Sequence, residues 1–191
     1  MDCKLLALGR ALAARHHRPA LWLFTDARRL PDPCPAAARL PRGIAGIVFR
    51  HDEHSDREAL ALRLAQICRD RRIVMVVAGD VRLAARCRAG VHLRGGRWPG
   101  PLRLRGFLTS SAHHPRDLRR AALAGVGLVF LSPAFQTASH PGAAGLGAVR
   151  WAGLARRARV PVAALGGIDG TTARRLPPRL CRGFGAIGAL A

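Results

Sequence analysis

Short apolar runs of three to six residues recur along the chain and alternate with segments of helical periodicity. Most of the runs are rich in β-branched or aromatic residues and are apolar on both faces. That pattern is typical of strands buried in a parallel sheet. The runs predicted as strands cover residues 21–25, 44–49, 73–78, 91–93, 106–109, 127–131, 161–165 and 184–187.

The intervening segments show the spacing of amphipathic helices. They cover residues 56–69, 80–89, 115–124 and 149–157. At the N-terminus, Leu5, Leu8 and Leu12 have the same spacing and predict a further helix. Acidic residues at the start of such segments are expected to cap the helices or to lie in their first turn. These residues are Asp56, Asp80 and Asp169.

Strands that alternate with helices indicate either a closed barrel or a doubly wound sheet. The count of eight runs, with polar or glycine residues after several of them, favours the barrel. We therefore predict an α/β fold, a compact (βα)8 TIM barrel, with one domain spanning residues 1–191. The chain ends soon after the eighth run. The last helix is expected to be missing or truncated, or its gap to be covered by the N-terminal helix.

The chain is strongly basic, with a formal net charge of +21 and a pI near 11.9. Lys4 is the only lysine, so nearly all of this charge comes from arginine. The arginine pairs are scattered, and no basic tract carries interleaved aromatic residues. This favours a solvated basic surface over a nucleic-acid site, although the charge could steer anionic substrates inward.

The five cysteines are widely spaced and contain no C-x-x-C motif. They predict reduced thiols in a cytoplasmic protein, with neither a disulfide framework nor a zinc ribbon. No apolar run approaches the roughly 18 residues of a membrane span, so no membrane partner is expected. A targeting presequence at the N-terminus and a homo-oligomer both remain open.

Three segments that follow predicted strands contain residues suited to binding an anion. The loop 132–142 after the sixth run combines hydroxyls, a histidine and glycine. Gly166 and Gly167 follow the seventh run, and Gly188 and Ala189 follow the eighth. Hydroxyls, backbone N–H groups and glycines can hold a phosphate where barrel strands end, although each segment alone could be an ordinary turn.

Six segments in order resemble the thiamine phosphate synthases and the related thiazole tautomerases. They are LWLFTD at 21–26, GIVFR at 46–50, GVHL at 90–93, SAH at 111–113, the loop 132–140 and PVAALGGI at 161–168. The resemblance implies a barrel enzyme of thiamine biosynthesis. This transferase couples 4-amino-2-methyl-5-pyrimidinylmethyl pyrophosphate to thiazole phosphate and releases pyrophosphate.

The resemblance also implies roles for individual residues. Arg50 would hold the pyrophosphate, and Ser111 would hydrogen-bond the reacting pyrimidine side. His113 and His140 would complete the catalytic set, and Asp80 would be a ligand of Mg²⁺. The thiazole phosphate would be held by Thr137, Ser139, Gly166, Gly167, Gly188 and Ala189.

The chain departs from the synthase pattern around the implied metal and pyrophosphate. Val48 and Asp52 replace a glutamine and a lysine, Gly79 replaces an asparagine, and residues 94–97 lack the second metal aspartate. His140 stands in place of a lysine. One hypothesis is that an arginine, Arg94 or Arg97, supplies the missing charge, because a guanidinium can neutralise phosphate without a metal.

A second hypothesis is that synthesis is lost and a thiazole phosphate tautomerase-like isomerisation remains. It would need only a general base such as His113 or His140, although Pro133 stands where the tautomerases place a histidine. A third hypothesis is a non-catalytic binder of a phosphometabolite or nucleic acid. The histidines do not have a metal-ligand spacing, and we expect His51 and His54 to be solvent-exposed or structural.

Overall fold

Over the residues described by the computed structural model, 1–97, 106–137 and 144–191, eight parallel strands close into a barrel in chain order. Each strand pairs with the next, and the last pairs with the first. The strands are β1 (Leu21–Phe24), β2 (Ala45–Phe49), β3 (Val74–Ala78), β4 (Gly90–Leu93), β5 (Leu108–Ala112), β6 (Leu128–Leu131), β7 (Val162–Leu165) and β8 (Cys181–Ala186). The predicted barrel is confirmed.

Helices connect most of the strands and pack on the outside of the sheet. They are α1 (Cys3–His16), α2 (Cys34–Arg39), α3 (Arg57–Asp70), α4 (Val81–Cys87), α5 (Pro115–Leu123) and α6 (Gly147–Arg157). The short helix α2 was not predicted, because six residues make too few turns to show a period. None of the helices in the described ranges is both long and apolar enough to cross a membrane.

Helix α1 packs against β8, where a helix following the last strand would lie. Its N-cap residue Asp2 accepts hydrogen bonds from the N–H groups of Lys4 and Leu5, at 2.9 and 3.0 Å. The same carboxylate accepts from Gly170 N at 2.7 Å, and Asp2 N donates to Ala189 O at 2.9 Å. The helix therefore begins at the carboxyl ends of β7 and β8 and covers the outer side of β8, which is one of the arrangements that we expected.

The barrel has two apolar layers, because successive strand residues point to opposite sides of the sheet. The residues on the outer side pack against the helices. The inner side forms a separate cluster of Trp22, Phe24, Val48, Val76, Leu128, Phe130 and Ala163. The Phe130 ring meets Trp22 and Phe24 edge-on, at 5.4 and 4.8 Å between centroids. These rings fill the barrel, which leaves room for a ligand only beyond the strand ends.

The fifth strand lies later in the chain than predicted, at Leu108–Ala112 instead of residues 106–109. Ser111 is therefore inside the strand, not after it as the resemblance suggested. Polar residues are tolerated there because they bond to the turn after β4. Ser110 Oγ accepts from Gly96 N at 2.8 Å and donates to Leu93 O at 3.0 Å. A periodicity argument cannot detect partners that come from another strand.

The predicted caps differ in outcome. Asp80 caps α4 by accepting from Leu83 N at 2.9 Å, as expected. Asp169 accepts from the N–H groups of Thr171 and Thr172, each at 2.8 Å. Asp56 occupies the N-cap position of α3, as expected, but its side chain makes no capping hydrogen bond.

Replacing Gly46 of β2 with alanine should destabilise the barrel interior. A Cβ at this position would lie 2.5 Å from ring atoms of Trp22, which is wholly buried and cannot move aside. Overpacking of this kind costs about 1–3 kcal/mol. The free energy of unfolding, measured by urea titration, should fall by that amount for Gly46→Ala.

The matched control is Gly153→Ala in α6, where a Cβ meets nothing within 4 Å. Alanine is the better helix former, so this variant should gain about 0.5–1 kcal/mol. A Gly46→Ala protein as stable as the wild type would contradict the packing described for the barrel interior.

Candidate active site

A cavity of about 1550 Å³ opens at the carboxyl ends of the strands. It is lined mainly by residues at the ends of all eight strands and in the loops that follow them. Single ligand pockets are usually about 300–1,000 Å³, so this space suffices for two small ligands side by side.

The floor of the cavity is aromatic. Phe24 and His92 line it, with their ring centroids 5.8 Å apart and edge to face. His92 is 3% exposed, and its Nδ1 lies 2.9 Å from Thr109 Oγ1. Burial, followed by the charges of Arg50 and Arg94, lowers the pKa of His92 to about 3. The imidazole is therefore neutral at physiological pH.

Arg50 follows β2 and is held over this floor. Its Nε donates to Thr25 O at 3.1 Å, and its guanidinium lies 5.3 Å from the centre of the Phe24 ring. Nη2 is 3.8 Å from Asp26 Oδ2. Burial is the main cause that lowers the pKa of Arg50, but an arginine this far above neutrality stays charged. Its position at the cavity is the one the resemblance implied.

His51 supports Arg50 from behind. It is wholly buried, with Nε2 3.0 Å from Leu30 O and Nδ1 2.9 Å from Thr25 Oγ1. The carbonyl requires the proton on Nε2, so Nδ1 accepts from the threonine hydroxyl. Thr25 Oγ1 in turn accepts from Arg50 N at 2.9 Å. His51 is thus structural, one of the two alternatives we expected, and His54 lies beside it, partly exposed.

Beside Arg50, four side chains form a row of alternating charge. Arg57 donates from Nη1 to Asp80 Oδ2 at 2.6 Å and from Nη2 to Asp52 Oδ1 at 3.3 Å. The other oxygen of Asp52 is ion-paired with Arg94. The Arg57 side chain is only 19% exposed, whereas that of Arg94 is 59% exposed. Arg94 lines the main cavity, while Arg57 and Asp80 line a smaller neighbouring one.

The residues around Asp80 do not fit a divalent cation. Mg²⁺ prefers six oxygen ligands, including one or two carboxylates. Here one oxygen of Asp80 accepts a hydrogen bond from Leu83 N, and the other accepts from Arg57. Arg57 also donates to Asp52, so it engages both carboxylates. Across the described parts of the chain, no three His, Cys, Asp or Glu side chains come together as a metal site. A cation would have to displace the guanidinium of Arg57.

The opposite wall offers backbone donors. Within the described residues, no protein acceptor is bonded to the N–H groups of Gly167, Gly188 and Ala189, which line the cavity. Gly167 has φ +62°, and a Cβ there would collide with Gln136 O, so only glycine fits. Thr137 lies on the same wall.

The other residues implied for the phosphate are placed only in part. Gly166 lines the cavity, and its carbonyl accepts from Phe135 N at 3.0 Å, which ties the loop after β7 to the loop after β6. Ser139 and His140 lie outside the described residues.

Ser111 and His113 form a third side of the cavity. Ser111 Oγ accepts from Gly95 N at 3.1 Å, which fixes the turn after β4. His113 Nδ1 lies 3.0 Å from Ser132 O and 3.3 Å from Ser132 Oγ. The carbonyl calls for a proton on Nδ1, so Nε2 is the basic nitrogen of the ring. Both side chains line the cavity.

The fold thus brings Arg50, Ser111, His113 and the glycine loops to one cavity, while Asp80 lies in the adjoining one. Arg97 lines neither cavity, so of the two arginines offered as a replacement for the metal only Arg94 reaches the site. Sequence reasoning missed Arg57 and gave His92 no role. A lone histidine within an apolar strand was a usable signal for His92, whereas nothing distinguished Arg57 from other helix arginines.

The sequence model of the thiamine monophosphate synthase family matches residues 26–190. The chain belongs to this family. It is 33% identical over 165 residues to a thiamine-phosphate synthase of Thiobacillus denitrificans, covering 80% of this chain and 75% of the relative. It is 32% identical over 165 residues to a thiamine-phosphate synthase of Nostoc sp., but these cover 80% of this chain and only 45% of that longer protein.

A solved member supports the same architecture. The thiamine phosphate pyrophosphorylase of Pyrococcus furiosus superposes with a TM-score of 0.72, covering 89% of this chain and 86% of that one. Sequence identity is 22%, so this likeness concerns the fold.

The neutral state of His92 should make the protein acid-sensitive. Its pKa is about 3 in the folded chain, against 6.5 ordinarily. Below pH 6.5 the imidazole is therefore protonated in the unfolded chain but stays neutral in the folded chain. The free energy of unfolding that is present above pH 6.5 is lost as the pH falls towards 3. Between pH 7 and 5 the wild type should lose about 2 kcal/mol more than His92→Gln in urea titrations. Equal losses in the two proteins would contradict the buried neutral imidazole.

Proposed function

We propose that the protein is a thiamine phosphate synthase, which joins 4-amino-2-methyl-5-pyrimidinylmethyl pyrophosphate to thiazole phosphate and releases pyrophosphate. The observation that carries the proposal is a single cavity with arginines on one side and, on the other, backbone N–H groups that bond to no protein acceptor among the described residues. Its volume of about 1550 Å³ accommodates both substrates at once.

The arginine side suits the leaving group. In the reaction, the bond between the pyrimidine methylene carbon and the pyrophosphate oxygen breaks, and the carbon bonds to the thiazole nitrogen. Negative charge develops on the pyrophosphate as it departs, and a fixed guanidinium stabilises that charge most where water is excluded. Arg50 is held by Thr25 and Phe24 in one orientation, so it needs no rearrangement as the charge appears.

The aromatic floor suits the pyrimidine, which becomes cationic when the leaving group departs. A charged imidazole there would oppose that cation, and the depressed pKa of His92 keeps the ring neutral. Phe24 offers an apolar face beside it. Ser111 is our candidate for orienting the pyrimidine from the adjacent wall.

The glycine side suits the thiazole phosphate. Phosphate oxygens would accept from the N–H groups of Gly167, Gly188 and Ala189, with Thr137 and Gly166 on the same wall. Ser139 completes the phosphate-binding set that the family resemblance implies, and His140 remains a candidate for the catalytic set. We assign His113, whose Nε2 is free to accept a proton, to any general-base step.

The family is generally magnesium-dependent, and Asp80 is the residue of this chain that corresponds to a ligand. Its carboxylate is committed to Arg57 and Leu83. No step proposed here passes through a metal. The five free cysteines are in keeping with a cytoplasmic site of synthesis.

Mixing the two substrates with the protein and measuring pyrophosphate release tests the function directly. Arg50→Ala should reduce kcat/KM by at least about 100-fold, because the departing charge loses its fixed partner. Arg50→Lys should restore only part of the rate, since lysine cannot bind bidentately.

The matched control for Arg50 is Arg116→Ala, an exposed arginine of α5 away from the cavity, which should retain the wild-type rate. Isomerisation of a thiazole carboxylate phosphate without pyrophosphate release would contradict the proposal and favour the tautomerase alternative. Binding of RNA without either activity would favour the third hypothesis.

Gly188 allows a separate test of the phosphate side. A Cβ there meets no atom of the described residues within 4 Å, and Gly188 has no positive φ, so Gly188→Asp should fold normally. Its carboxylate would repel the phosphate and raise KM for thiazole phosphate about 10-fold or more, while KM for the pyrimidine substrate stays the same. The isosteric Gly188→Asn is the neutral control, and equal KM values for the two variants would place the phosphate elsewhere.

A further inference from the structure

We propose that pyrophosphate is bound directly by Arg94 together with Arg50, without a divalent cation, and that the guanidinium of Arg57 occupies the place of the metal. This inference rests on the proposed function for the identity of the leaving group. It concerns the implied metal and pyrophosphate site, where the residues of this chain depart from the family pattern.

The first support is the position of Arg57 between two carboxylates. It donates to Asp80 at 2.6 Å and to Asp52 at 3.3 Å, so one organic cation bridges the two acids as a metal ion would. Arg57 is largely buried, and its pairing with two acids makes it the structural member of the row. Releasing either acid to a metal would deprive that guanidinium of one of its two partners, which is costly when the charge is largely buried.

The second support is the fit between Gly79 and Arg94. A Cβ on residue 79 would lie 3.4–3.8 Å from three guanidinium atoms of Arg94, so the arginine lies across the place of a side chain. The family pattern has an asparagine at position 79, where it would compete with Arg94 for this space. Arg94 thus packs directly against Gly79, in space that the longer asparagine side chain would share with it.

The third support is that Arg94 can be released to a ligand cheaply. Its ion pair with Asp52 is exposed, with the side chains 59% and 43% accessible. Exposed pairs contribute little to stability, so an incoming phosphate can replace Asp52 as the partner of the guanidinium. Asp52 remains paired with Arg57 after the exchange.

Arg94 and Arg50 face the same part of the cavity. Both line it, and the positive charge of each contributes to keeping the nearby His92 ring neutral. Two guanidinium groups around one space can bind a pyrophosphate bidentately from two sides. Together they supply the charge that a metal would otherwise bring to the leaving group.

The decisive experiment is calorimetric titration of the protein with inorganic pyrophosphate in excess EDTA. The wild type should bind, and added Mg²⁺ beyond the chelator should change Kd less than 3-fold. Arg94→Ala should weaken binding at least 10-fold. Arg97→Ala is the matched control and should stay within 2-fold of the wild type, because Arg97 is exposed and lines neither cavity.

Binding that requires Mg²⁺, or that is equally strong in Arg94→Ala, would overturn the inference. The coupling assay in EDTA is a second readout, in which at least half of the rate with Mg²⁺ should remain. Failure of coupling with and without Mg²⁺ would refute the proposed function instead, and the pyrophosphate titration would still decide on the arginine site. Circular dichroism checks that Arg94→Ala is folded.

Discussion

The hydrogen-bonded ladder between β8 and β1 closes the sheet and brings the ends of all the strands to one face of the molecule. Residues that are more than a hundred positions apart, such as Arg50 and Gly188, face one cavity only because of this closure. The rings of Trp22, Phe24 and Phe130 fill the barrel below and confine the ligand space to its upper rim. The closed sheet and its filled interior together restrict the binding of ligands to the carboxyl ends of the strands.

The site contains one arginine that is held in a fixed orientation and one whose ion pair is exposed. Arg50 is fixed through Thr25 and the buried His51, so its orientation is set before any ligand arrives. Arg94 is paired only at the surface and can change partners. A preorganised group lowers the barrier where charge develops, and an exchangeable group admits and releases the ligand. His92 lines the same cavity as both arginines, and burial keeps its ring neutral.

The sequence was informative wherever structure follows from local pattern. Buried parallel strands are apolar on both faces, so an apolar run overlaps every strand. The glycines after β7 and β8 line the cavity, and their binding of phosphate stays a prediction. The predictions failed where the structure of a residue depends on a partner that is distant in the sequence. Ser110 and Ser111 belong to β5 because the turn after β4 bonds to them. Arg57 bridges Asp52 and Asp80 through tertiary contacts that have no sequence period.

Helix α1 covers the junction between β8 and β1 from outside. It packs on β8, although it precedes all the strands in the chain. A ribosome delivers α1 first and β8 last, so the face of α1 that β8 covers stays open while the intervening strands are made. Joining such distant segments is entropically slow, and uncovered apolar surface invites association in the meantime. The contact between α1 and β8 therefore forms only after β8 has been synthesised, and until then chaperones can bind the uncovered face of α1.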